Sequence, residues 1–94
     1  SNVGLQEHHD LKGLEIELSP NPNSGSFSLS INGFEGDMLA LDVIDVMGNV
    51  IHSKELHVMN GELKTMLDYD LPDGMYFLKL SEGKKMRTVR FIVN

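Results

Sequence analysis

The residues of this 94-residue chain best suited to hold a metal or move a proton are four histidines and a short run of aspartates. His8 and His9 stand side by side near the start, while His52 and His57 fall on one strand-like run at a spacing that sends them to opposite faces. Metal binding needs ligands that converge on one point, and this spacing does not supply convergence. Asp68, Asp70 and Asp73 precede Gly74 in the manner of a calcium loop, yet they lack the register of an EF-hand and its distal bidentate Glu. Aspartates that bond their own backbone in a turn explain them better. The chain has no Gly-rich phosphate loop opening a helix, no Gly-x-Ser-x-Gly elbow and no His-Glu-x-x-His. The sequence therefore predicts a domain that is not an enzyme and that holds no metal or cofactor.

Composition points to one compact, soluble domain. The hydrophobic content is 40%, the mean hydropathy is -0.16, and no apolar stretch reaches the roughly 18 residues that a membrane span needs, so membrane insertion is not expected. With no cysteine the chain can form no disulfide, and an Asn-x-Ser/Thr glycosylation acceptor is also missing. Six methionines spread along the chain read as gap-fillers of the core.

Charge is unevenly placed. Residues 1–78 carry three basic and thirteen acidic residues, whereas residues 79–94 carry five basic residues, Lys79, Lys84, Lys85, Arg87 and Arg90, against Glu82 alone. A basic end on an acidic body can pair with acidic neighbouring strands and keep a sheet edge from sticking to other edges. It can also steer a docking strand to an acidic receptor. Nucleic acid is not an expected partner, because so acidic a body repels phosphate.

The elements that must position these groups are seven short runs with strand character and no helix. Leu14, Ile16 and Leu18 alternate with Glu15 and Glu17, and Phe27, Leu29 and Ile31 alternate with serines. Residues 39–46 and 50–58 form the next pair around Gly48, which suits a type I turn with a bulge, but their adjacent apolar pairs Val43-Ile44 and Val50-Ile51 leave the buried side open. Leu63, Thr65, Leu67 and Tyr69 follow an Asn60-Gly61 turn. The last two runs, carrying Tyr76, Leu78 and Leu80 and then Val89, Phe91 and Val93, read as a hairpin about a Glu82-Gly83 turn with Tyr76 opposite Val89. The seventh run ends one residue before the last residue, so the terminal strand itself is expected to be what a receptor reads. Residues 1–13 lack a period and read as a linker from a missing upstream region. The whole predicts an all-β, seven-stranded antiparallel β-sandwich, immunoglobulin-like in architecture but without the cross-sheet disulfide and core Trp of antibody domains.

The turns carry a further pattern. SPNPNSGSFSLSI, LDVIDVMGNVI, LPDGMYFLKL and RTVRFIVN, in this order, closely resemble the C-terminal sorting domain of the type IX (Por) secretion system. The resemblance covers about residues 14–94. It rests on Pro20, Asn21, Pro22, Gly25 and Phe27, then Asp45 and Gly48, then Leu71, Gly74 and Tyr76, and finally Arg90 followed by Phe91, Ile92 and Val93. The terminal basic position, often Lys in the family, is Arg90 here, so the charge is kept.

The resemblance implies a label on a larger cargo that crosses the inner membrane by a separate signal and folds in the periplasm. The outer-membrane type IX translocon and its shuttle proteins would recognise the domain, and a sortase-like surface protease would then remove it, leaving the cargo secreted or on the outer-membrane surface. Cleavage is expected within residues 1–13, where exposed backbone suits a protease. Strand addition to the terminal strand is the expected mode of recognition, with Thr88, Arg90 and Ile92 as the outward reading face. The competing class is an accessory immunoglobulin-like module that binds carbohydrate or protein at the cell surface. It lacks the exposed aromatic platform of a sugar binder, since the chain has no Trp and only two tyrosines.

Overall fold

A computed structural model describes Leu11 and residues 13–94. The expected linker and its cleavage site lie outside the described residues, save Leu11, which is buried, and Gly13. Seven strands run as β1 (Glu15–Ser19), β2 (Ser26–Asn32), β3 (Met38–Asp45), β4 (Val50–His57), β5 (Glu62–Asp68), β6 (Gly74–Glu82) and β7 (Lys85–Val93). They form a three-stranded sheet in the order β1-β2-β5 and a four-stranded sheet in the order β4-β3-β6-β7, every named pair antiparallel. This is the immunoglobulin-like sandwich that the alternating pattern predicts. The fourth strand, however, joins the second sheet, whereas constant-type immunoglobulin domains keep it in the first.

Alternation drives the packing. Phe27, Leu29 and Ile31 of β2 meet Leu39, Leu41 and Val43 of β3, Leu78 and Leu80 of β6 and Phe91 of β7 in one core, each at most 1% exposed. Burying each such side chain contributes about 1.5–3 kcal/mol. The ambiguous pairs resolve by a bulge between Val43 and Ile44: Val43 turns inward, and Ile44 lies opposite Val50 on the outer face.

The methionines are a correction. All six are at the surface, from Met75 at 36% exposed to Met47 at 81%. Period two assigns the four on strands outward, as with Met66 opposite Ser28 and Met86 opposite Ser81, while Met47 and Met59 lie outside the strands, and leucine and phenylalanine fill the interior instead.

The turns set the register. Asn60 and Gly61, both at positive φ, sit between the paired residues Met59 and Glu62, the geometry of a type I′ hairpin that here carries the chain from one sheet to the other. The last hairpin turns at Gly83-Lys84 rather than at Glu82-Gly83, so Tyr76 faces Phe91 and not Val89. The slip is two residues. The two apolar sets therefore still share the inner face, and Gly83, at φ 60, occupies the first central position that a type II′ turn reserves for glycine.

Candidate functional site: a composite corner around the terminal strand

Three of the four sequence motifs meet around β7. Phe27 of β2 packs on Phe91 of β7 with ring centroids 5.0 Å apart, and Phe91 in turn stacks on Tyr76 of β6 at 5.7 Å. Phe27 continues to Tyr69 at 6.3 Å, and Tyr69 stacks on His52 at 4.3 Å. Burial holds the Tyr69 phenol above its ordinary pKa. The motif aromatics thus join the two sheets in one run of rings, which is a packing role.

The Leu71, Gly74 and Tyr76 motif builds the β5-to-β6 corner. Leu71 is buried, Gly74 opens β6, and the Tyr76 hydroxyl donates to the Pro72 carbonyl at 2.6 Å. A tyrosine near the start of the sixth strand that bonds backbone a few residues upstream is the tyrosine corner of immunoglobulin-like sandwiches.

Asp45 and Gly48 serve the β3–β4 turn in the same local manner. One Asp45 carboxylate oxygen accepts the backbone N–H groups of Met47 and Asn49, the other accepts the Asn49 side chain, and Gly48 closes the turn onto the Asp45 carbonyl at φ 90. The Asn49 backbone bond, with help from the Asn49 side chain and the Met47 and Gly48 N–H groups, holds the Asp45 carboxyl below its ordinary pKa against an opposing desolvation. This pair stands at the far end of the sheet sequence and does not touch the terminal strand's edge.

The first motif does touch it. β7 is an edge strand, and the Arg90 carbonyl and both main-chain polar groups of Ile92 point away from β6. The Asn23 N–H donates to the Ile92 carbonyl and the Asn23 carbonyl accepts the Asn94 N–H, each at 2.9 Å, as one rung of a parallel ladder. Two residues earlier the Asn21 side chain does the same work: its amide donates to the Arg90 carbonyl at 3.2 Å and its oxygen accepts the Ile92 N–H at 2.9 Å. Backbone of Asn23 and side chain of Asn21 are in register, one rung apart. Pro20 and Pro22 flank Asn21 without offering an N–H, and both peptide bonds that precede them are cis.

Asn23 is the residue that sequence reasoning passed over. It is the one buried polar side chain among the described residues, 6% exposed, and its amide donates to the Pro20 carbonyl while its oxygen accepts the Gly25 N–H. A second Asn in a run read as a turn was the available signal. Gly25 completes the corner by approaching Tyr69 so closely that a Cβ there would lie 2.2 Å from the Tyr69 carbonyl oxygen, at φ 105.

These bonds revise the expectation for strand addition. The outer edge at Ile92 is already paired, so an incoming strand would have to displace Asn21 and Asn23; the edge at Met86 and Thr88 has no backbone partner among the described residues. The side chains of Thr88 and Arg90 are exposed and that of Ile92 half-buried on the outer face, whereas Phe91 and Val93 face the core. Two open clefts of about 380 and 400 Å³ lie elsewhere and are lined by none of the individual residues on which the resemblance rests. Among the described residues no group of three or more metal-ligating side chains comes together, and His52 and His57 point to opposite faces as their spacing predicts.

Comparison with known proteins gives one family. The family described as secretion system C-terminal sorting domain matches residues 17–94. No curated protein matches the chain.

Proposed function

This chain belongs to the secretion system C-terminal sorting domains, a type IX export signal, and from that premise we propose that it hands an upstream cargo to the outer-membrane translocon and its shuttle proteins by presenting the corner formed by β7 and residues 20–23. The cargo folds in the periplasm and crosses the outer membrane with the domain attached. A sortase-like protease at the surface then removes the domain, and the cargo is released or fixed to the surface. The domain itself contributes no catalysis and needs no cofactor.

The observation that supports this reading is the lock between motifs. Asn21 and Asn23, from the first motif, bond main-chain groups of Arg90, Ile92 and Asn94 in the last, so the two ends of the family pattern form one surface. A receptor that reads side chains on the outer face and main chain along residues 86–90 meets a rigid object and spends little on ordering it. Fusion of residues 1–94 to a reporter in a cell with type IX machinery tests the reading. Export is expected for the intact domain and loss of export, with synthesis unchanged, on deleting residues 90–94; export of the truncated fusion rules the reading out. The mass of the exported reporter reports cleavage.

A further inference from the structure

The outer face of the four-stranded sheet has a mainly apolar half beside a mainly polar one, in which Met38 and Met86 are the exposed apolar side chains. One row of cross-strand neighbours runs Val50, Ile44, Phe77, Arg90 over β4, β3, β6 and β7, and Met75 faces Ile92 beside it. The next row runs Ser53, Asp42, Lys79, Thr88, with the Ser53 hydroxyl donating to the Asp42 carboxylate at 2.7 Å. Side chains opposite each other on one face lie about 4.5–5.5 Å apart at Cβ, so each row is continuous. At the apolar end the β3–β4 turn adds Val46 and Met47, 60% and 81% exposed.

We propose that this apolar half-face, Val50, Ile44, Phe77, Met75 and Ile92 with Arg90 at its border, is a docking surface for a protein of the export machinery that sets a carboxylate beside an apolar patch. The proposal rests on the sorting function and extends the contact from the terminal strand to all four strands of its sheet. Val50 and Met75 are exposed and Ile44, Phe77 and Ile92 are half-buried between and beside them, and contiguous apolar surface of this kind marks interaction sites. Arginine beside an aromatic is the composition of interface anchors.

Charge selects the occupant. Arg90 faces Phe77, has Met75 and Lys79 as diagonal neighbours and Thr88 and Ile92 along its own strand, so none of its neighbours on this face is a carboxylate. A carboxylate supplied by a partner would therefore meet no competing anion on this face. A second copy presenting the same half-face brings cation and not anion. An anionic membrane is disfavoured too, because juxtamembrane recognition uses about four to eight clustered cations and the chain carries a net charge of -6.

The test is export of the same reporter fusion from living cells, with thermal unfolding of each purified domain alongside. Phe77→Thr with Val50→Thr, and separately Arg90→Glu, are expected to fold and to lower export at least tenfold, while a polar-half control, Ala40→Thr with Ser81→Thr, exports normally. Normal export by folded Phe77→Thr/Val50→Thr overturns the proposal and leaves the sorting function standing; failure of the unmodified fusion to export overturns the sorting function itself. Self-association at 100 µM, or sedimentation with phosphatidylglycerol vesicles, that the Phe77→Thr/Val50→Thr variant abolishes assigns the face to another occupant and also overturns it.

Discussion

The side-chain oxygen of Asn21 accepts the N–H of Ile92 across 71 positions of sequence, where a neighbouring strand would otherwise pair. Exposed edges are templates for unwanted pairing, and this one is closed by a carboxamide that imitates one residue of a strand. The imitation is complete in its polar groups, one donor and one acceptor, as a peptide unit offers.

Replacing Asn21 by Ala removes both bonds at a solvent-exposed site. Stability is expected to fall by about 1–2 kcal/mol, at roughly 0.5–1.5 kcal/mol per bond. Amide hydrogen exchange at Ile92 should accelerate, while that at buried strand positions such as Leu78 follows only the global change. Asn21→Asp keeps the acceptor and loses the donor, so Ile92 remains protected and the loss is smaller.

Tyr76→Phe keeps the ring against Phe91 and deletes the hydroxyl that reaches Pro72. The expected cost is about 1–2 kcal/mol, since the Pro72 carbonyl loses its partner in a part-buried place. Chemical denaturation of the two proteins side by side measures it, with an unchanged dependence on denaturant expected.

Gly25→Ala should be the most damaging small substitution. It forces a Cβ against the Tyr69 carbonyl oxygen and asks alanine to hold φ 105. A cost of about 3 kcal/mol or more follows from backbone strain and steric displacement together. Gly48→Ala meets open space and pays only for its positive φ, so it should be the milder of the two in thermal unfolding.

Asp45 makes stability depend on acid. Its folded pKa is depressed, so the contribution is fully present above the unfolded carboxylate value of about 3.9 and disappears as pH falls through the lower folded value. Unfolding measured from neutral pH down through this window should show a drop that Asp45→Asn lacks.

The strands were legible because apolar and polar residues alternate with period two, as in Ile16 against Glu15 and Glu17, or Phe27, Leu29 and Ile31 against serines. The turns were legible from their glycines. Side chains at strand positions follow parity, and parity is local. What residues 20–23 do was not legible, because bonds from Asn21 and Asn23 to the terminal strand depend on how the first sheet lies against the second. The last hairpin's turn lies one residue later than expected, which shifts every cross-strand partner by two, because Gly83 can take either central position of a two-residue loop. The methionines misled for a related reason: a flexible apolar side chain serves a core or a surface equally well, and only position on the pleat decides.

Closing one corner with residues about seventy positions apart, as the Asn21 bonds do, raises the contact order of the domain and delays its last bonds until both ends are in hand. Such a corner closes only when both segments are present and folded. A polypeptide stalled midway, or clipped within its final ribbon, leaves Asn21 with nothing to grip and displays a ragged, unpaired border.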